Sequence, residues 1–148
     1  MNGKNGNIIE VVGNAPTQMY CTSSIAANAA AASSFPVSMY PNGFDSSGGS
    51  TAVLVPLTKF WHIVKVEVDN AITPNAQIHF TLDGTQLPVS LALNSYVSSL
   101  PNPAPLPVSI VLAAGKTLSQ NITIMAANTS TSAVPVSYTL SIVSESVQ

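Results

Sequence analysis

The sequence predicts an all-β fold, an antiparallel β-sandwich of jelly-roll-like type with about seven or eight strands and an N-terminal arm. Three observations carry that prediction. From Thr51 onward, apolar residues recur with a period of two in several short segments. Gly, Pro, Asn and Asp separate those segments. Only 7% of the residues are charged, against about 25% in an average soluble protein, so the surface is solvated by neutral hydroxyls and amides.

With 148 residues the chain is long enough for one hydrophobic core, and it divides into an arm over residues 1–50 and a sandwich core over 51–148. The arm opens on a Gly/Asn-rich head followed by the short apolar run Ile8-Ile9-Glu10-Val11-Val12. The tract from Ser23 to Ala32 suits either a short helix capped by Ser24, because Ala has the highest helix propensity, or an extended arm that orders on a neighbouring subunit. Pro36, Pro41 and Ser46-Ser47-Gly48-Gly49-Ser50 then read as loop.

After a strand at Val53, Phe60–Asp69 is the clearest strand: Val64, Val66 and Val68 are expected inward and Lys65, Glu67 and Asp69 outward. Ala76–Leu82 repeats the pattern, with Ile78, Phe80 and Leu82 inward and Gln77, His79 and Thr81 outward. Asp83-Gly84 follows, a dipeptide suited to the positive-φ positions of a hairpin. Residues 87–93 form the return strand. Asn94–Pro107 contains Pro101, Pro103, Pro105 and Pro107; without their N–H groups it cannot be a central strand and is the expected interaction loop. Val108–Leu112, Leu118–Ala126 and Val134–Val143 complete the set, the last with Val134, Val136, Tyr138, Leu140 and Ile142 on one face.

Several function classes are disfavoured by residue content. The chain has no Arg, its cations are Lys4, Lys59, Lys65 and Lys116, and its formal net charge is −2, so a nucleic-acid backbone finds no basic stripe to neutralise. No apolar run approaches the roughly 20 residues of a membrane-spanning helix. The start lacks the apolar stretch of a secretory signal, and manufacture without such export is expected. Cys21 is the one cysteine; it forbids an internal disulfide and reads as a small buried side chain.

Chemistry-bearing motifs fall short of a catalytic, cofactor or metal site. Ala113-Ala114-Gly115-Lys116-Thr117 holds the end of a phosphate-binding loop, but Ile110 stands where the first glycine is needed, so Lys116 reads as a solvated hairpin lysine. His62 and His79, with Glu67, Asp69 and Asp83 near in sequence, lack a spaced third ligand and read as structural, although a buried His62 would make assembly pH-sensitive. No nucleophile elbow is present. Asn121-Ile122-Thr123 and Asn128-Thr129-Ser130 match the glycosylation pattern, as chance allows in so Asn-, Ser- and Thr-rich a chain. Trp61 alternates to the face opposite Phe60, His62 and Val64, where it serves as an anchor between sheets or subunits, or as a sugar platform.

Four stretches carry a family resemblance: Val55–Asn70, Ile78–Thr85, Val111–Leu118 and Pro135–Val143. Together, across residues 51–143, they resemble small jelly-roll virion proteins of tailed phages and related viruses, in which a Val-Pro turn and an aromatic launch a strand ending near an Asn. Leu57-Thr58 replaces the family's usual glycine turn, and the proline-rich loop is longer. The resemblance implies a capsid decoration, head-fibre, spike or tail component without catalytic residues. Its expected partners are copies of itself, as a trimer, and other virion proteins. Its expected place is the virion, exposed on a particle made in the host cytoplasm, with a host glycan as a further partner. Two other functions fit the residues. One is an extracellular fibre or pilus subunit whose N-terminal segment is donated as a strand. The other is a carbohydrate-binding module using Trp61, Tyr96 and the proline loop.

Overall fold

A computed structural model of the chain describes residues 16–41 and 49–147. Its elements, in chain order, are β1 (Pro16–Ile25), β2 (Ser34–Pro36), β3 (Ser38–Tyr40), β4 (Val53–Leu54), β5 (Lys59–Val68), β6 (Ala76–Leu82), β7 (Thr85–Ala92), a 3-10 turn (Leu93–Tyr96), β8 (Ile110–Leu112), β9 (Thr117–Ile124) and β10 (Val134–Ser146). They form two antiparallel sheets. Sheet 1 has the order β3-β1-β10-β5-β8; sheet 2 has the order β2-β9-β6-β7, with β4 also on β9.

With the short strands β3 and β4 set aside, the pairing is nested. β1 pairs with β10, β2 with β9, β5 with β8 and β6 with β7. First meets last, second meets second-to-last, and so inward to the central hairpin. This is the wrapping of a jelly roll, so the fold is the all-β sandwich that the sequence predicts. At the centre of the wrap, Asp83 (φ 49°) and Gly84 (φ 82°) occupy the two positive-φ positions expected of them. Pro88 is accommodated because β7 is an edge strand with an irregular register against β6.

The expectation of an arm over residues 1–50 needs correction for residues 16–41. β1 lies inside sheet 1, paired to β10 along all ten of its residues and to β3 on its other side. Met19, Cys21 and Ile25 point into the core and are at most 1% exposed. Neither a helix nor an extended arm forms over the Ala tract. After Ile25 the chain turns twice, with Asn28 and Ala32 at positive φ, and Asn28 N–H and Ala32 N–H donate to Ser130 O and Ile124 O, both at 3.0 Å. Long-range backbone bonds there outweigh local propensity. The Ile8–Val12 run lies outside the described residues.

β5 departs from the strict alternation expected of it. Lys65 faces Ser141 while Ile63 faces the next residue of β10, Ile142, so Val64 is an extra residue in a β-bulge. The bulge resets the alternation: Ile63, Val66 and Val68 are buried, and Val64 is 51% exposed instead of inward. Elsewhere the period-two expectation holds. Ile78 and Phe80 on β6, and Val136, Tyr138, Leu140 and Ile142 on β10, are buried between the sheets.

Candidate interaction surfaces

The ionisable groups near the histidines do not assemble into one centre. His62, on β5 of sheet 1, has Nε2 buried and 3.3 Å from Glu145 Oε1. Among the described residues that atom makes no hydrogen bond, so the contact is a close approach off the bonding direction. The Phe60 ring meets the imidazole edge-on at 5.7 Å. His79, on β6 of sheet 2, is hydrogen-bonded through Nδ1 to Ser90 Oγ at 2.9 Å.

The neighbouring carboxylates are engaged elsewhere. Glu67 pairs with Lys65 at 3.6 Å, and Asp69 accepts from Ser137 Oγ at 2.7 Å. Asp83 accepts from Thr117 N–H at 2.8 Å and pairs with Lys116 at 3.5 Å; chiefly that backbone bond holds its carboxyl below the ordinary value. Among the described residues no three His, Cys, Asp or Glu side chains are grouped as metal ligands.

The aromatic platform does not form. Trp61 faces inward and packs, partly buried, against the core, which is the inter-sheet anchor position. Tyr96 is 6% exposed in the 3-10 turn. Trp61 lies near the start of β5, whereas Val97 bridges Val68 at its end, and at roughly 3.3 Å per residue the two rings belong to opposite ends of the sandwich. The proline loop is exposed from Leu100 to Pro105. The residues missed by sequence reasoning are Tyr20 and Tyr40, opposite one another on β1 and β3, with ring centroids 6.0 Å apart on the outer face of sheet 1.

The two outer faces differ in chemistry. The strands of sheet 2 contain no Asp, Glu, Lys or Arg. Their outward residues form rows of hydroxyls, amides and imidazole, such as Ser34–Thr123–Gln77 and Asn121–His79–Ser90. Sheet 1 instead exposes an apolar stripe at its β8 edge. Val111 (43% exposed) and Val143 flank His62 in register, and the bulged Val64 lies beside them. The stripe arises because the bulge turns a valine outward and because Val111 sits on an edge strand.

The two sequons are also unlike. Asn128 is 3% exposed; its Nδ2 donates to Ala26 O at 2.9 Å and its Oδ1 accepts from Ser130 N–H at 3.1 Å. It closes the loop before β10 and is inaccessible to a glycosylating enzyme in the folded chain. Asn128→Ala is expected to cost about 1–3 kcal/mol, because both backbone groups lose a partner; urea titration against wild type measures it. Asn121 points outward, opposite in the alternation to the buried Ile122, yet its Oδ1 is buried without a partner among the described residues.

No protein-family model matches this chain, and no curated protein matches it either.

Proposed function

We propose that this chain is a structural protein of a virion, a capsid-associated jelly roll of the decoration, spike or tail type, that works by self-association and by binding the particle. The observation that supports this most is the uncharged outer face of sheet 2 on a jelly-roll scaffold. Jelly rolls serve as capsid subunits, lectins and cupins, so the fold alone does not choose among functions. A sheet face without charge approaches a copy of itself with no like-charge repulsion and little ion desolvation. The Val64–Val111–Val143 stripe adds apolar area, worth about 25 cal/mol per Å² when covered, and repetition by symmetry multiplies each weak contact. On this reading the chain is made in the host cytoplasm, forms a homo-oligomer, a trimer by the family resemblance, and ends on the particle exterior. Strand donation by the N-terminal segment has less support, since residues 16–25 already pair with β10 of the same chain.

Sedimentation velocity over a range of concentrations, with co-sedimentation on particles, tests the proposal. Wild type is expected to associate, and Val64→Asp with Val111→Asp is expected to weaken association at least tenfold with little change in thermal stability, since both side chains are solvent-exposed. A wild-type chain that stays monomeric at high concentration and leaves particles unbound overturns it.

A further inference from the structure

We infer that the notch between β2 and β4 is a binding site for an uncharged, hydroxyl-rich ligand, a single sugar ring or the terminal ring of a glycan. Both short strands lie along the same edge of β9, β2 against Asn121–Thr123 and β4 against Thr117–Leu118. Between them the chain leaves sheet 2 to build β3 on sheet 1, held at the crossing by Val37 N–H donating to Gln120 O at 3.2 Å. Neither short strand pairs with Ser119 or Gln120 along this edge, although the Gln120 carbonyl is taken by Val37. The opening has a volume of about 400 Å³ and is lined by Ser34, Phe35, Pro36, Thr51, Ser119 and Asn121, with Gln120 beneath. That volume is at the lower end of the roughly 300–1,000 Å³ typical of small-molecule sites.

The lining defines the ligand class. Asn121 Oδ1 is buried and has no hydrogen-bond partner among the described residues, and a buried acceptor of this kind is costly unless something donates to it. Asn121 lines the notch, and a turn of its amide toward the opening would let a ligand hydroxyl supply that donor. Ser34, Thr51 and Ser119 add hydroxyls that both donate and accept, with Ser34 Oγ placed by Thr123 Oγ1 at 2.8 Å. Phe35 and Pro36 supply apolar surface for the C–H face of a ring. None of the lining residues is ionisable, so a phosphate or carboxylate entering the notch would lose hydration without gaining a counter-charge. The site is separate from Trp61 and Tyr96 and lies on the other sheet from the apolar stripe; because Ser34 and Asn121 belong to the outer face of sheet 2, packing of that face against a copy competes with the ligand.

The test is a titration of isotope-labelled protein with methyl glycosides of glucose, galactose, mannose and N-acetylglucosamine, followed by amide chemical shifts. Glucose 6-phosphate and glycerol serve as controls. At least one neutral glycoside is expected to give saturable shifts, in the millimolar range, at Ser34, Thr51, Ser119 and Asn121, with weaker binding of the phosphate. Asn121→Leu is expected to weaken binding about tenfold, the loss of one directed hydrogen bond. Thr51→Val, at an exposed loop position, provides a second variant whose fold is not at risk and is expected to weaken binding in the same direction. Shifts that fail to saturate, that glycerol reproduces, that lie outside the notch, or that persist unchanged in both variants overturn the inference.

Discussion

Tyr138→Phe is expected to destabilise the sandwich by about 1–3 kcal/mol although it removes a single oxygen. Tyr138, on β10 of sheet 1, is fully buried, and its hydroxyl donates to Gln120 Oε1, on β9 of sheet 2, at 2.6 Å. Gln120 is 4% exposed, and its Nε2 reaches Cys21 Sγ at 3.5 Å. The three side chains thus form a polar bridge through an otherwise apolar core. Removing the hydroxyl leaves the Gln120 carbonyl oxygen in a dry interior without a donor, so the cost is that of an orphaned group and exceeds the net worth of one hydrogen bond. The double variant Tyr138→Phe with Gln120→Leu is expected to regain most of the loss, because the two polar partners leave together. Urea unfolding of wild type, the single variant and the double variant measures both quantities, and a single variant as stable as wild type would overturn the account.

Alkali is expected to unfold the protein through the same cluster. Burial pushes the Cys21 thiol up to about 12 from its ordinary 9.0, against the partial opposition of its hydrogen bonds with Gln120 and Tyr138. Burial, reinforced by the neighbouring Cys21, also raises the Tyr138 phenol well above its ordinary value. Between pH 9.0 and about 12 the unfolded chain has released the thiol proton while the folded chain retains it. The unfolded state therefore binds fewer protons, and stability falls as pH rises. The stabilisation is fully present below pH 9.0 and is lost progressively up to about 12, at about 1.4 kcal/mol per pH unit, or about 4 kcal/mol for Cys21 over the window. Urea midpoints across that range should fall more steeply in wild type than in Cys21→Ala, which retains the contributions of Tyr138 and of Tyr96, also raised by burial. Parallel slopes would remove Cys21 from the explanation.

Much of the fold was legible where local signals and tertiary pairing agree. Ile78 and Phe80, and Val136 to Ile142, alternate cleanly and are buried as read, and Asp83-Gly84 turns as its backbone freedom requires. The failures are of two kinds. A bulge adds one residue without leaving a mark in composition, so at Val64 the inward face was misread by one step. β1 was hidden because Thr17, Gln18, Tyr20, Thr22 and Ser24 give it a polar look and the Ala tract beside it favours a helix, while its strand state is decided by β10, far away in sequence. The interaction surfaces were less legible still. Whether Trp61 is a platform or an anchor depends on which sheet face is covered. The notch at Asn121 exists because two short strands leave a gap along β9, a fact about pairing that no window of residues encodes.

The nested pairing also sets near contacts apart from distant ones. Thr17 and Ile142, hydrogen-bonded neighbours across β1 and β10, are 125 residues apart along the chain, whereas β6 and β7 meet across the turn at Asp83 and Gly84. Closing the long loop costs more chain entropy than closing the short one, and folds dominated by such distant pairings assemble slowly. The central hairpin is therefore expected to form first, and sheet 1 closes only once β10 is available to pair with β1. Until then β1 presents an unsatisfied edge bearing no formal charge, the kind of surface that pairs with a neighbouring chain. A protein whose finished faces favour association is thus most exposed to premature association before its outermost strands have met.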